Sequence, residues 1–346
     1  PMSKSKPSAV SGILIVNKHA GVTSHRIISI CRRLYQTTQV GHTGTLDPMA
    51  TGVLPILIGR AVKASEYVMA GEKRYIATLR LGLTTDTEDV TGETLSTSDE
   101  LPCYREVAAV CARFIGSQTQ VPPMYSAVKI DGRKLVDLAR EGREIDRAPR
   151  EIAVKSIRLV PGMAPESYDR TPPEPMDGFS AGEGSMGARF ADAEPDGAVY
   201  REYTLDIVCS KGTYIRTLCA DIGKALGCGG AMATLCRVRS GGYTLDGAYT
   251  TDALNELPYE TLLTLPEPVE TLFCALPEVY VNEFYRKLVT SGTPLYQKKL
   301  HTAIEAGSLV RLKTRTESGG RFFALGRADR DEAGEAVIRL EKLFLL

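Results

Sequence analysis

The stretch Gly41-His42-Thr43-Gly44-Thr45-Leu46-Asp47-Pro48-Met49-Ala50-Thr51-Gly52 places one carboxylate, that of Asp47, among residues that build tight backbone. Its glycines allow backbone conformations that are closed to other residues, and Pro48 fixes its own φ and biases Asp47 toward an extended geometry. The apolar run 53–58 follows at once and predicts a buried strand. We therefore expect Asp47 on a stiff loop beside that strand, either as a catalytic group or as the start of an ordinary Asp-Pro turn.

The composition is that of an ordinary globular protein. The chain has 346 residues, of which 43% are hydrophobic and 24% charged, and no apolar run approaches the length that crosses a bilayer. The first lysines are not followed by an apolar segment, so no secretory signal is expected. We expect a cytoplasmic monomer without membrane contact, built as one large core plus a small appended domain.

Cysteine and histidine spacing argues against metal chemistry. The eight cysteines include no Cys-x-x-Cys pair, and the four histidines include no helical metal pair. Reduced thiols are the default in a chain of this size. The four cysteines from Cys209 to Cys236 leave a zinc site open, although their spacing lacks the close pairs that zinc sites use. No phosphate-binding loop or dinucleotide fingerprint is present, so we expect neither a metal nor another cofactor.

The formal net charge of zero hides a segregation. Residues 161–199 contain eight acidic residues and two arginines, which leaves a net charge of +6 on the remainder. The Pro, Gly and acidic content of this segment predicts a solvated surface insertion, with an acidic arm that mimics RNA as the alternative. The basic excess elsewhere is compatible with RNA binding. We expect deletion of 161–199 to leave the chemistry intact.

Hydrophobic periodicity predicts a mixture of strands and helices. A strand over 12–16 precedes a helix capped by Ser24, whose apolar face consists of Ile27, Ile30, Cys31 and Leu34. A half-buried strand is expected from Tyr75 to Leu81. Further strands are predicted over 152–159 and 203–209, a helix over 214–226, and short strands over 309–312, 322–325 and 336–340. This order predicts an α+β fold with a mixed, largely antiparallel sheet, flanking helices, a central RNA-binding cleft and a small C-terminal β-rich domain.

Two motifs carry a family resemblance. The run around Asp47 resembles the nucleophile loop of the TruB family of bacterial tRNA pseudouridine synthases, and Cys209-Ser210-Lys211-Gly212-Thr213-Tyr214-Ile215-Arg216-Thr217-Leu218 resembles a second motif of that family. The resemblance covers residues 11–160 and 200–250 well. It implies cofactor-free isomerisation of uridine 55 in the T loop of tRNA to pseudouridine. It also implies a catalytic domain over 1–275, a PUA-like RNA-binding domain over 276–346, the tRNA T arm as partner and no obligate protein partner.

The resemblance also implies roles for individual residues. Asp47 is the nucleophile, Arg216 pairs with it, and Tyr75 stacks on the flipped uracil, with a second role in proton transfer. Around them, His42 occupies space that the flipped base vacates, Asp89 contacts the uracil edge, Tyr214 packs beside the site, and Leu235 walls the pocket. An arm over 120–145 resembles the family's thumb, and its RNA contacts are Tyr125, Lys129, Arg133, Lys134, Arg140 and Arg143.

From the residues alone, plainer interpretations stay open. Tyr75 also fits a core tyrosine, Arg216 a structural ion pair or a phosphate contact, and His42 a histidine satisfied by loop backbone. Acidic side chains are interleaved with the cations of the arm, which therefore also fits a solvated charged helix. These acids are Asp137, Glu141 and Glu144.

Three rival functions remain. A guide-RNA-dependent archaeal or eukaryotic relative would share the loop, although the continuation Pro48 to Pro55 resembles the bacterial form. A glycosidase would use Asp86 and Asp89 as an acid/base pair, which requires a controlled carboxyl separation. A non-catalytic tRNA-binding or folding protein is the third. The sequence departs from the family pattern at Lys18-His19, where many relatives have Lys-Pro, and at Cys236, where arginine is common.

Overall fold

A computed structural model describes residues 10–126, 128–130, 132–143, 145–160, 201–316 and 319–344. The insertion predicted over 161–199 lies outside the described residues. So do the side chains of Lys129, Lys134 and Arg140, three of the six predicted RNA contacts on the arm.

Strands dominate the described chain. They are β1 (Gly12–Lys18), β2 (Val40–His42), β3 (Thr51–Ile58), β4 (Lys73–Leu81), β5 (Leu83–Thr85), β6 (Thr94–Thr97), β7 (Gly116–Gln120), β8 (Lys129–Ile130), β9 (Arg133–Lys134), β10 (Arg150–Leu159), β11 (Glu202–Cys209), β12 (Gly230–Ser240), β13 (Tyr243–Thr244), β14 (Glu278–Val281), β15 (Leu295–Tyr296), β16 (Leu309–Thr316), β17 (Gly319–Arg330) and β18 (Ala336–Leu343). The helices are α1 (Ser24–Leu34), α2 (Ser65–Met69), α3 (Tyr104–Arg113), α4 (Leu135–Arg140), α5 (Ile215–Ala225), α6 (Thr251–Glu256), α7 (Tyr259–Leu262) and α8 (Glu283–Thr290), with 3₁₀ turns at Gly59–Ala64, Val269–Phe273 and Gln297–Leu300.

The main sheet has nine strands in the order β1-β3-β12-β4-β11-β10-β7, with β2 beside β3 and β13 beside β12. Its pairings are antiparallel except for β12 with β3, which run parallel. The predicted α+β class and largely antiparallel sheet are therefore confirmed. The predicted half-buried character of 75–81 is wrong, because β4 is a central strand with Tyr75, Ala77 and Leu79 in the core on one face and Ile76 in a small cluster on the other.

Helix α1 packs on the sheet through Ile27, Ile28 and Cys31. The predicted cap is wrong by one residue, because Thr23 is the N-cap and accepts a hydrogen bond from the Arg26 amide at 3.1 Å. Ser24 instead bonds both backbone groups of Leu46, since its hydroxyl donates to the Leu46 carbonyl at 3.0 Å and accepts from the Leu46 amide at 2.9 Å. The start of α1 is thus bonded to the residue that precedes Asp47.

A second, five-stranded sheet has the order β14-β16-β17-β18-β15 and confirms the predicted C-terminal β-rich fold. The short strands predicted over 309–340 are present and longer than expected. Phe322 and Phe344 of this part stack at 5.6 Å between ring centroids and meet Phe273 at 6.1 and 5.8 Å. These rings share a core cluster with Ile13 and Leu57 of the main sheet, whereas α1, α3 and α5 belong to the cluster that contains Leu14 and Ile56. Because side chains alternate along a strand, the second sheet and these helices cover opposite faces of the main sheet.

No helix in the described part of the chain is long and apolar enough to cross a membrane.

Candidate active site

The Asp47 loop connects β2 to β3. Its turn is closed by backbone, since the Ala50 amide donates to the Asp47 carbonyl at 3.1 Å, and the Asp47 side chain points elsewhere. Gly44 has φ +94° and Gly52 has φ +103°, so two of the three glycines use their conformational freedom. A Cβ on Gly52 would lie 2.3 Å from the Arg237 carbonyl oxygen. The loop therefore packs against β12 too closely for any side chain at that position.

Arg216 binds the Asp47 carboxylate with two of its nitrogens. Arg216 Nε lies 2.9 Å from Asp47 Oδ2, and Nη2 donates to Oδ1 at 3.4 Å. The rest of the guanidinium donates to backbone, with Nη1 3.0 Å from the Thr87 carbonyl and Nη2 2.8 Å from the Tyr125 carbonyl. Arg216 is 6% exposed and Asp47 33% exposed in their side chains. The cation is thus fixed in place, whereas the carboxylate keeps a face toward solvent.

Asp89 supports Arg216 from the opposite side. Its Oδ2 lies 3.5 Å from Arg216 Nη1, and its Oδ1 accepts from Thr87 Oγ1, from the Thr91 amide and from Thr91 Oγ1. Asp89 is 4% exposed. Because its oxygens are already occupied, this carboxylate is built to hold Arg216. The predicted contact of Asp89 with a uracil edge stays a prediction.

Two buried cations flank Gly52. Lys18 pairs with Gly52 across β1 and β3, and Arg237 pairs with it across β12 and β3. Lys18 Nζ donates to the Pro48 carbonyl at 3.1 Å and to the Ala50 carbonyl at 2.5 Å. Arg237 donates to the Val53 carbonyl at 2.7 Å and to the Gly44 carbonyl at 3.0 Å. The backbone on both sides of Asp47 is therefore tied down by positive charge.

The pKa of the Asp47 carboxyl is raised above its usual value, although some of its neighbours act in the opposite direction. Burial raises the pKa of its carboxyl; Arg216 opposes this, the nearby Asp89 charge adds to it, and Lys18 also lowers it. Burial lowers the pKa of Lys18 to about 8, an effect that the charge of Asp47 opposes. Arg216 and Lys18 therefore stabilise the ionised form of the Asp47 carboxyl.

Tyr75 and Leu235 line the same region, each 7% exposed. Tyr75 faces Arg237 across β4 and β12, and Leu235 faces Ala77 two residues along. Burial raises the pKa of the Tyr75 hydroxyl, and the charge and hydrogen bond of Arg237 oppose the rise. Both residues also belong to the main core cluster, which supports the core interpretation of Tyr75, and its catalytic role stays a prediction.

His42 ends β2 and is partly buried. Its Nδ1 is buried and has no hydrogen-bond partner among the described residues. The alternative that loop backbone satisfies this nitrogen is therefore wrong. Burial, with Arg237 and His25 nearby, lowers the pKa of the ring, which favours a neutral imidazole.

The arm reaches the site through its backbone. The Tyr125 carbonyl accepts from Arg216, and the Tyr125 hydroxyl donates to Asp86 Oδ2 at 3.2 Å. Arg133 and Arg143 are exposed, and Arg133 is paired with Glu141. Tyr214 is the N-cap residue of α5 and exchanges two backbone bonds with the Gln120 side chain, at 2.8 and 3.0 Å. The helix that carries Arg216 is thereby fastened to the base of the arm.

Sequence reasoning missed three residues that shape this site: Lys18, Arg237 and Ser24. Each binds backbone carbonyl or amide groups, and such partners leave no recognisable spacing in the sequence. The only available signal was the position of Lys18 and Arg237 in apolar strands, where an unpaired charge would be costly. All eight cysteines are free thiols, and no group of three His, Cys, Asp or Glu side chains able to hold a metal occurs among the described residues.

Comparison with known proteins identifies the family. Residues 32–168 match the model of the N-terminal domain of the TruB family of pseudouridylate synthases, and residues 216–273 match that of the C-terminal domain of tRNA pseudouridylate synthase B. The chain is 38% identical to tRNA pseudouridine synthase B of Alkaliphilus oremlandii over 84% of this chain and 85% of the relative. The chain belongs to the TruB family. It is also 36% identical to the enzyme of the same name from Aromatoleum aromaticum, over 92% of this chain and 89% of the relative.

Solved structures share the TruB-type fold at lower identity. The protein in a crystal structure of a Cbf5-Nop10-Gar1 complex is similar with a TM-score of 0.61 and 24% identity, over 96% of this chain and 85% of that chain. A second, from an archaeal box H/ACA sRNP Nop10-Cbf5 complex, has a TM-score of 0.60 and 22% identity, over 96% and 86%. Both alignments extend over the second sheet, which fits a PUA-like C-terminal domain.

Proposed function

We propose that this TruB-family protein converts uridine 55 in the T loop of tRNA to pseudouridine, without a cofactor and with Asp47 as the nucleophile. The observation that carries the proposal is the Asp47 carboxylate held by Arg216 at 2.9 Å while part of its surface stays open. The names of the relatives support tRNA as the substrate. We further propose that the protein works as a cytoplasmic monomer.

The reaction is an isomerisation, so atoms balance within the nucleotide. Asp47 attacks C1′ of the ribose, the C1′–N1 bond breaks, and the base turns to present C5. The bond from C5 to C1′ then forms as the carboxylate leaves, C5 loses its proton, and N1 takes one up. The chemistry needs a nucleophile, a route for one proton and a pocket that excludes water, which the buried surroundings of Arg216 and Tyr75 support.

Arg216 is proposed as the group that aims the nucleophile. A planar guanidinium with two nitrogens on one carboxylate fixes its orientation and favours its ionised form. Asp89 and the two backbone carbonyls keep the guanidinium in place when the substrate binds. Arg216 occupies the first turn of α5, where the helix dipole disfavours a cation, and the neighbouring carboxylates offset that cost.

Tyr75 is proposed to stack on the uracil and to take part in moving the C5 proton, because it is an aromatic residue on the strand beside Arg237. An enzyme that works on a stacked base must first extrude it. His42, with an unsatisfied ring nitrogen and a favoured neutral form, suits the space that the base leaves. The arm, with Tyr125, Arg133 and Arg143, and a PUA-like domain over 276–346 are proposed to hold the remainder of the tRNA.

The glycosidase alternative fits the geometry poorly. Asp89 is buried and its carboxylate accepts three hydrogen bonds besides facing Arg216. Asp86 is exposed and accepts from the Glu93 amide and the Tyr125 hydroxyl. Both carboxylates act as hydrogen-bond acceptors here, so neither is arranged as the protonated acid that a glycosidase needs.

The proposal is tested by mapping the product. An unmodified tRNA transcript is incubated with the full chain, and pseudouridine is located by carbodiimide labelling and primer extension. We expect a single stop at position 55, which is lost in a transcript with cytidine at that position. A stop elsewhere in the tRNA would replace the proposed position, and no stop with a well-bound transcript would contradict the proposed activity.

A further inference from the structure

The charge of the N-terminal part of the chain is unlike that of the whole. The first acidic residue is Asp47 itself, although acidic and basic residues are equal in number over the full chain, 42 of each. Of the cations before it, Lys18 is buried under the Asp47 loop. The arginines in this stretch all lie on α1: Arg26, Arg32 and Arg33.

Helix α1 presents these arginines to solvent on one face. At about 100° per residue, positions 25, 26, 29, 32 and 33 fall within roughly a third of the helix circumference. His25, Arg26, Arg32 and Arg33 are exposed, and the opposite face is buried through Ile27, Ile28 and Cys31. The helix contains no acidic residue. The exposed face therefore carries only positive or neutral groups.

No ion pair among the described residues neutralises the charge on this face. No described carboxylate lies within 4.0 Å of the nitrogens of Arg26, Arg32 or Arg33. Arg33 Nη2 donates to the uncharged amide oxygen of Asn255 at 2.7 Å. Some exposed cations elsewhere are paired, as Arg327 of β17 is with Glu341 and Lys298 is with Glu335.

The position of α1 ties this face to the site. Ser24 bonds both backbone groups of Leu46, one residue before Asp47, and His25 is near enough to His42 to affect the pKa of its ring. On the other side of Asp47, the Tyr125 carbonyl of the arm binds Arg216. Asp47 thus lies between the arm and the start of α1, which runs away from it for 11 residues, about 16 Å.

We propose that the solvent face of α1 binds the backbone phosphates of the RNA strand next to the target nucleotide, opposite the arm. The inference rests on the proposed function, because it takes the substrate to be RNA that delivers a nucleotide to Asp47. Unpaired guanidinium groups in a row match a phosphate backbone, and they contact it without reading sequence. The face extends the substrate interface beyond the arm and the loop.

The test compares the wild type, the double variant Arg26→Gln/Arg32→Gln and a matched control, Arg113→Gln. Arg113 is also an exposed arginine in the last turn of a helix, but α3 packs on β10, which four strands separate from β1. Equilibrium binding of a T-arm stem-loop is measured as a function of salt. We expect the double variant to bind roughly tenfold more weakly, with a slope of log K against log salt that is smaller by about 1.4 to 1.8.

The control should keep both the wild-type slope and the wild-type rate of single-turnover pseudouridine formation. A double variant with the wild-type slope on the stem-loop would overturn the inference, and so would a loss seen with whole tRNA alone, because the phosphates would then lie outside the T arm. Thermal unfolding of all three proteins separates binding from folding. If the wild type binds RNA but forms no pseudouridine, the proposed function fails while the salt slopes still decide the role of α1.

Discussion

Arg216 Nε lies 2.9 Å from Asp47 Oδ2, although 169 residues separate the two in sequence. The contact is made possible by two anchored segments: the Asp47 loop, which Lys18 and Arg237 hold against β3, and the start of α5, which Gln120 holds against β7. Neither side chain needs to move to form the pair.

Two substitutions of Arg216 should separate the effect of its positive charge from the effect of its two-nitrogen contact with Asp47. Arg216→Lys keeps a cation but loses the two-nitrogen contact, so we expect a fall in single-turnover rate of roughly a hundredfold. Arg216→Gln also removes the charge that opposes the burial-induced rise in the pKa of Asp47. Since attack requires the carboxylate, the acid limb of its pH–rate profile should move to higher pH, further than that of Arg216→Lys. Acid limbs that lie at the same pH in Arg216→Lys and Arg216→Gln would contradict this electrostatic role.

Lys18→Met should loosen the Asp47 loop, because it removes the donors to the Pro48 and Ala50 carbonyls. We expect at least a tenfold lower single-turnover rate, with little change in tRNA binding. In the wild type, the pKa of Lys18 near 8 predicts a decline in rate above about pH 8 as the ammonium loses its proton, and Lys18→Met should lack this decline. Lys63→Met is the control, since Lys63 is exposed and donates to the Leu343 carbonyl. A basic limb that survives in Lys18→Met belongs to another group.

Asp206→Asn should destabilise the fold without touching the chemistry. Asp206 is 3% exposed and binds Arg74 at 2.8 Å and Arg158 at 2.7 Å. Because truncating one partner of a buried ion pair leaves its charge unmatched, we expect a loss of roughly 3 kcal/mol in the free energy of unfolding. Glu202→Gln on the same strand breaks an exposed pair with Arg80 and should cost less than about 1 kcal/mol. Denaturant unfolding of both variants measures the difference.

The stability that Asp206 contributes should fall as the pH is lowered. Burial alone would raise the pKa of Asp206, but the hydrogen bonds and charges of Arg74 and Arg158 lower it below its ordinary value. A lowered pKa gives stability that is present above the unfolded pKa, about 3.9, and is lost as the pH falls through the folded value. The gap between wild type and Asp206→Asn should therefore be constant near neutrality and close below about pH 4. A gap that widens in acid would contradict the assignment.

Much of the fold could be predicted because it follows from local pattern. The pattern of apolar residues located β3, β11 and the buried face of α1, and the motifs around Asp47 and Arg216 indicated the family. The central strand β12 was missed, because Gly230–Ser240 mixes small, polar and basic residues without a clear period. Its burial comes from neighbours on both sides, β3 and β4, which are distant in sequence. Strand β14 and helix α8 were also missed, although Glu278–Val281 alternates exposed and buried residues.

The sequence indicated the side chains to which we assign the chemistry, but it did not indicate the side chains that hold the Asp47 loop in place. Asp47, Arg216 and Tyr75, to which we assign the chemistry, lie in or beside motifs that the sequence makes recognisable. Lys18 and Arg237 bind carbonyl oxygens, which every residue has, so their partners leave no mark on the sequence. Ser24 illustrates the same limit, because both Thr23 and Ser24 suit an N-cap, and Ser24 is instead bonded to Leu46, which the sequence does not reveal.

The central claim is that Asp47 is the nucleophile, and the most direct test is release of tritium from tRNA labelled at C5 of uridine. Wild type and Asp47→Asn are compared in single turnover, with binding of the same tRNA measured in parallel. We predict release by the wild type and none by Asp47→Asn, which should still fold and bind the tRNA. Tritium release that survives in Asp47→Asn would contradict the claim.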